Sequence, residues 1–452
     1  MPTPTPLATG HVVSPVQSLA DPALSYAVFL PGDYSPARRW PVLFVLDPRG
    51  RGTFAAQLFQ QAPEHHGWIV MSSNDTRSDG PWEPNVRAVQ AMLADADARF
   101  AVDPRRLYLA GFSGTARGAW ALALGMKPNA VGVLLAGGGA PHESPPARGL
   151  PFAVFGSAGT RDFNYLEMRD LDAKLDEAGA AHRFATFDGE HEWPPPAVAS
   201  EAIAWLELRA MRRGLAPPDE KLADELHDRW VAGARAAESA GSLVDAAHAW
   251  REMERDFAGT ETAREAHAEV ERLTALPAFQ RERDERERAE RWERARREEI
   301  ERLVSTLASA GSIDEDGTIA RVRELHHSLR ATASYTSDVS LAAGARRAIE
   351  HLASFVAFYT PRELSARHAY ARAARVLELA LTIHPDHELV WYNLACAHAR
   401  DGQRERALDA LEQAVSRGFH DRELLEHDDD LRSLRDTPRY RELLEQWRGP
   451  VP

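Results

Sequence analysis

A serine, an aspartate and a histidine each stand in this sequence just beyond an apolar run. Leu107-Tyr-Leu-Ala-Gly-Phe-Ser-Gly-Thr-Ala-Arg-Gly-Ala-Trp120 carries such a run directly into Gly111-Phe112-Ser113-Gly114-Thr115, and small residues follow. Phe152-Ala-Val-Phe155 leads into Gly156-Ser-Ala-Gly-Thr-Arg-Asp162, and Arg183–Phe187 ends in Asp188-Gly-Glu-His191-Glu-Trp193. These residue types serve nucleophilic catalysis. A serine hydroxyl is a weak nucleophile until a base takes its proton, an imidazole can do so near neutral pH, and a carboxylate can hold the imidazole in place. Asp188 and Glu167 are further carboxylates able to fill the third position.

The elements that must position these groups are legible as short apolar runs alternating with helical stretches. Strands are expected at Ser25–Leu30, Pro41–Leu46, Trp68–Met71, Arg106–Gly111, Val131–Leu135, Phe152–Phe155 and Arg183–Phe187, several without polar alternation, as in strands buried on both faces. Helices are expected at Pro84–Phe100, Thr115–Gly125, Tyr165–Ala178 and Pro196–Met211. The alternation predicts an α/β domain over residues 21–213 with a mostly parallel sheet flanked by helices, in which chemistry collects where strands run into loops.

The segment around Ser113 resembles the nucleophile elbow of the α/β-hydrolase superfamily, a strained strand-to-helix turn that exposes the serine hydroxyl. The order Ser113, Asp162, His191, each after an expected strand, matches the order in that family. The nearest likeness is to compact serine esterases of the polyhydroxybutyrate-depolymerase, feruloyl-esterase and dienelactone-hydrolase type. The resemblance covers about residues 20–213. It implies that Ser113 attacks an acyl carbonyl, that His191 takes and returns the proton, and that Asp162 orients the imidazole. It also implies an oxyanion hole from the backbone N–H of Gly114 and a second amide on the loop Asp47-Pro48-Arg49-Gly50-Arg51-Gly52. Pro48 has no N–H, so Arg49 (or Gly50) is the expected donor. The family usually has glycine where this chain has Thr115, which implies a crowded turn. Phe112, Asn74, Trp82, Tyr165 and Trp193 are the candidate pocket residues, and the chemistry requires no metal and no organic cofactor. A serine peptidase or acyltransferase would use the same three groups.

From Asp219 the strand signal ends, after the linker Gly214-Leu-Ala-Pro-Pro218, and an all-α domain is expected over residues 219–452. Trp391, Leu394, Ala395, Ala407, Leu411 and Ala414 have tetratricopeptide-repeat spacing. Ala373, Leu377, Ala380 and Pro385 repeat the second-helix pattern upstream, and Trp230, Ala234, Ala246 and Trp250 fit it loosely. Small residues let paired helices approach while Trp and Leu fill the gaps. A repeat-like domain suggests a protein partner or self-association, with a scaffold that binds without turnover as the alternative function. A charged helix is expected at residues 281–303, where Glu and Arg alternate around a thin stripe of Trp292, Ala295, Ile300 and Leu303.

Composition excludes other classes. With 54 Lys+Arg against 68 Asp+Glu the formal net charge is -14, the wrong balance for a phosphate-tracking nucleic-acid protein. A single cysteine, Cys396, precludes an intrachain disulfide and any multi-cysteine metal centre. No apolar run is long enough to span a bilayer, so a soluble globular protein is expected. The Pro/Thr-rich start, in a stub of residues 1–20, lacks the basic start and apolar core of a leader peptide, yet equally suits the mature end of an exported bacterial protein. The compartment stays unassigned. The pairs His65-His66 and His326-His327 are expected to be solvated, and Gly137-Gly-Gly139 carries no dinucleotide-binding fingerprint.

Overall fold

The computed structural model describes residues 6–78, 81–126, 129–309 and 314–446; residues 1–5 of the expected stub lie outside them. The chain divides into two compact units, Met1–Glu285 and Arg286–Pro452.

In the first unit eight strands form one sheet: β1 (Val12–Gln17), β2 (Ser25–Phe29), β3 (Trp40–Leu46), β4 (Ile69–Ser73), β5 (Val102–Phe112), β6 (Gly132–Ala136), β7 (Ala153–Gly159) and β8 (His182–Phe187). Their order is β1-β2-β4-β3-β5-β6-β7-β8. The β1–β2 and β2–β4 pairs are antiparallel, and every pair from β4 across to β8 is parallel. All residues of β3, β4, β6 and β7 are buried, which is why these runs lack polar alternation. The helices here are α1 (Gly52–Phe59), α2 (Gln61–His66), α3 (Glu83–Arg99), α4 (Gly114–Gly125), α5 (Tyr165–Ala178) and α6 (Pro196–Arg212). Alternate residues of β3 feed the two faces: Leu43 and Val45 pack with α1 and α6, Val42 and Phe44 with α3, α4 and α5. This is the α/β-hydrolase architecture.

Two features depart from the expected elements. β1 lies inside the presumed stub, and its Pro15 and polar residues disguise it; an edge strand tolerates a residue that cannot donate to a ladder. Helices α1 and α2, of 8 and 6 residues, are too short to show a helical period.

Beyond the turn at 214–218 the first unit continues through α7 (Glu220–Ser239), α8 (Leu243–Asp256) and α9 (Glu261–Thr274). Leu226, Trp230, Ala247, Trp250 and Met253 fall in the same apolar cluster as Ile203 and Trp205 of α6. Polar contacts reinforce it. Arg183 of β8 is buried and donates to Asp256 at 2.8 Å, with Glu252 3.4 Å away. The Phe184 amide donates to Glu252 at 2.7 Å, and the Trp205 indole to Asp256 at 2.8 Å. β8 is the outermost strand, so Glu252 takes up a donor that an open sheet edge would leave bare. Opposing charge lowers the Glu252 carboxyl to about 2 despite the cost of burial, Arg183 acting first and His248 next.

Helix α10 (Pro277–Ala308) contains the division between the units. The second unit goes on through α11 (Glu315–Tyr335), α12 (Val339–Ser354), a π-helical turn at Phe355–Tyr359, α13 (Thr360–Ala366) and α14 (Tyr370–Ala380). It ends with α15 (Glu388–Arg400), α16 (Arg404–Ser416), α17 (Arg422–His427) and α18 (Pro438–Gln446). The long helical stretch is thus all-α, as its periodicity indicated. On α10 the stripe differs from expectation. Ile300 and Leu303 are buried and Trp292 partly so, but Ala295 is exposed, and fully buried Glu293 takes the inward place by pairing with Arg347 of α12 at 2.6 Å. His326, expected in solvent, is buried on α11. Among the described residues no helix is long and apolar enough to cross a membrane.

Candidate active site

Strand β5 runs directly into α4, and Ser113 sits at the junction with φ 56° and ψ -126°. Such a backbone is strained for a non-glycine residue by about 1–3 kcal/mol, so its surroundings must hold it. They do so in three ways. The Ser113 amide donates to the Ala136 carbonyl at the end of β6, 2.8 Å away. Gly111 leaves the room the turn needs, because a Cβ there would lie 2.3 Å from the Thr115 carbonyl oxygen. Thr115, fully buried, fits rather than crowds. Its hydroxyl lies 2.5 Å from the Leu46 carbonyl and 2.8 Å from that of Phe112, and it accepts from the Phe112 amide at 3.2 Å. The residue that departs from the family pattern therefore ties the turn to the end of β3.

His191 bridges the other two groups. Its Nε2 is 2.9 Å from Ser113 Oγ, and its Nδ1 is 2.9 Å from Asp162 Oδ1. With Nδ1–H donating to the carboxylate, Nε2 is left as an acceptor for the serine proton. Asp162 is fully buried, and its Oδ1 also accepts from the Asn164 amide at 2.7 Å. Asn164 in turn donates its side-chain amide to the Gly137 carbonyl at 2.8 Å. The His191 ring lies against Phe112, centroids 4.6 Å apart, and against Phe163, 4.1 Å apart. The other carboxylates are elsewhere. Asp188 is exposed and paired with Arg161, while Glu167 accepts from the Gly139 amide and from Arg117.

The glycine run at 137–139 supports this geometry, a role sequence reasoning missed. A Cβ on Gly137 would meet Asp162 Oδ2 at 2.8 Å and the His191 ring at 3.3 Å. One on Gly138 would stand 2.3 Å from the Ser113 carbonyl oxygen. The signal was visible, three small residues directly after a strand, but the partners they spare lie far away in sequence.

The expected oxyanion donors separate. Among the described residues the Gly114 amide donates to nothing, so it is open to an oxygen beside Ser113. The Arg49 amide is already used, donating to Asp47 Oδ1 at 2.8 Å. Buried Asp47 also takes the Arg51 amide at 3.1 Å, the Arg51 guanidinium at 3.0 Å and the Trp193 indole at 2.9 Å. Burial opposes its charge, but the donors of Arg51 and Trp193 hold its carboxyl below the usual range. Trp193, two residues after His191, is thereby fixed to the loop after β3.

The other pocket candidates scatter. Phe112 and Trp193 lie at the site, their rings 5.6 Å apart. Trp82 covers Gly118 on α4, where a Cβ would strike its ring at 1.7 Å. Asn74 donates to Ser25, 3.0 Å away. Tyr165 opens α5, its amide donating to the Asp162 carbonyl. Away from this site, among the described residues, one group of candidate metal ligands comes close together: Cys396, Asp428 and Asp430 in the second unit. Burial pushes the Cys396 thiol well above its usual range, and Tyr392 donates to Asp428.

No protein-family model and no curated protein matches the chain. Solved structures do. One is a fluorophosphonate-binding serine hydrolase of Staphylococcus aureus, 12% identical over 44% of this chain and 99% of that one, with a TM-score of 0.38. Esterase 2 of Thermogutta terrifontis is 15% identical over 47% of this chain and 98% of that one, TM-score 0.38. A ferulic acid esterase is 17% identical over 44% of this chain and 96% of that one, TM-score 0.35.

Proposed function

We propose that the chain is a serine hydrolase of carboxylic esters, with Ser113 as nucleophile, His191 as general base and acid, and Asp162 as the carboxylate that orients it. The observation that carries this reading is the unbroken relay from Ser113 Oγ through His191 to buried Asp162, at 2.9 Å in each step. Ser113 Oγ adds to the ester carbonyl as its proton passes to Nε2. The oxygen that becomes negative is met by the Gly114 amide. The tetrahedral intermediate collapses, His191 returns the proton to the departing alcohol, and water repeats the sequence on the acyl-enzyme. No metal or organic cofactor is needed for these steps.

For the second unit we propose a tetratricopeptide-like hairpin of α15 and α16, supported by the burial of Leu394, Ala395, Ala407, Leu411 and Ala414 in one apolar cluster. Its surface is a candidate for partner binding or self-association.

The test of the hydrolase reading is covalent labelling. A fluorophosphonate probe should add one adduct mass to the full chain and none to Ser113→Ala, and His191→Asn should label far more slowly. A wild-type chain that takes no label, or a Ser113→Ala chain that does, would refute it.

A further inference from the structure

We propose that Asp47 is a positioning residue for His191, acting through the indole of Trp193, an assignment that rests on the serine-hydrolase reading above. The loop that carries the imidazole has few ties of its own. Beyond Trp193 come Pro194-Pro195-Pro196, none with an N–H to donate, and α6 begins at the third of them. The His191 and Trp193 amides donate to no described residue. Among the described residues Trp193 makes one hydrogen bond, from its indole to Asp47 Oδ2 at 2.9 Å.

Packing carries that restraint to the reacting groups. Trp193 is buried, and its ring lies 5.6 Å from that of Phe112, which lies 4.6 Å from the His191 ring. Phe112 immediately precedes Ser113, so the indole adjoins the elements on both sides of the contact between Nε2 and Oγ. Packing alone does not fix the indole. Phe59 meets it edge-on at 5.8 Å, but it also borders a cavity of about 10 Å³, room for one water, that Leu134, Phe155, Val198 and Ala202 help to line. The hydrogen bond to the carboxylate supplies the direction that packing leaves open.

Asp47 is held firmly enough to serve as that anchor. It is fully buried just beyond β3, its Oδ1 accepting from the Arg49 amide at 2.8 Å and the Arg51 amide at 3.1 Å. Its Oδ2 takes the Arg51 guanidinium at 3.0 Å beside the indole, and its carbonyl takes the Thr76 hydroxyl at 2.9 Å. A carboxylate pinned on every side cannot follow the indole. The loop that bears His191 is thereby kept from drifting, and a drift of about 1 Å in a reacting group can cost about 10²-fold in rate.

Steady-state hydrolysis of p-nitrophenyl butyrate by the full chain tests this in a double-mutant cycle, with thermal midpoints measured alongside. Trp193→Phe keeps an aromatic ring and leaves Asp47 its loop donors, but has no N–H to anchor. Asp47→Asn keeps an acceptor for the Arg49 and Arg51 amides and turns an NH2 group toward the indole N–H. A positioning role predicts that kcat falls about 10-fold in Trp193→Phe and about 10²-fold in Asp47→Asn, with KM nearly unchanged. The double variant removes the opposed donors, so its kcat should return to that of Trp193→Phe. Wild-type kcat in Trp193→Phe overturns the assignment, and does so even if Asp47→Asn fails to fold. A loss in Trp193→Phe that appears in KM, or only as a lower thermal midpoint, overturns it too. So does a double variant whose loss is the product of the two single losses, because Asp47 then acts on its own loop alone. If wild type hydrolyses no ester and Ser113 takes no fluorophosphonate, the hydrolase reading itself has failed and the assignment falls with it.

Discussion

Replacing Thr115 in a graded series separates two views of the elbow. On family pattern alone the residue is an intruder, and Thr115→Gly should relax the turn and raise activity. The structure predicts the reverse, because the hydroxyl ties Phe112 to Leu46 and the methyl is fully buried. Thr115→Ser removes one buried methyl, a loss of about 1 kcal/mol. Thr115→Val keeps the shape but strands the Phe112 amide and its carbonyl partners, a loss of about 1–3 kcal/mol. Thr115→Gly loses both and adds about 1 kcal/mol for glycine in a helix, giving about 3–5 kcal/mol in all. The assay is urea unfolding followed by circular dichroism and by residual ester hydrolysis, with free energies taken from the midpoint and slope. The order of loss should be Ser, then Val, then Gly, and activity should fall in the same order. A Thr115→Gly chain as stable as wild type and more active would refute the reasoning.

Gly138→Ala drives a methyl into the Ser113 carbonyl, so the elbow must shift; ester hydrolysis should fall by orders of magnitude while circular dichroism stays near native. Glu252→Ala leaves the Phe184 amide bare and removes one of the carboxylates around buried Arg183, which should destabilise the first unit by about 3–5 kcal/mol in urea titration. Glu252→Gln keeps an acceptor for that amide and should lose less. In the second unit, burial and then the Arg297 charge lower His351 to about 3, and its neutral ring meets the half-exposed Glu301 carboxylate at 3.2 Å. The unfolded chain takes up this proton first. The stability that neutral His351 contributes is therefore complete above about pH 6.5 and is lost as pH falls toward 3, amounting to about 3 kcal/mol by pH 4.5. His351→Gln should flatten that acid loss; an identical pH dependence in the variant would contradict it.

What could be read from the sequence follows from how local each constraint is. Ser113, Asp162 and His191 were legible because each follows an apolar run, in an order a strand-by-strand reading can check. The sheet was legible for a similar reason, since strands buried on both faces need no partner to declare themselves. Asp47 was not. Pro48-Arg49-Gly50 reads as a donor loop, and only the folded turn reveals that Asp47 takes its amides, that of Arg49 on the carboxylate and that of Gly50 on the main-chain carbonyl. Gly137 and Gly138 are glycine on account of Asp162, His191 and Ser113, none of them a sequence neighbour. Arg183 and Glu252 look like ordinary surface charges in sequence, because 68 residues separate the Phe184 amide from the carboxylate that receives it.

The most direct measurement is p-nitrophenyl acetate hydrolysis by wild type and Ser113→Ala, purified in parallel. The relay predicts turnover by wild type that falls by about 10³-fold or more in the variant. Equal rates from the two proteins would contradict the assignment of Ser113 as nucleophile.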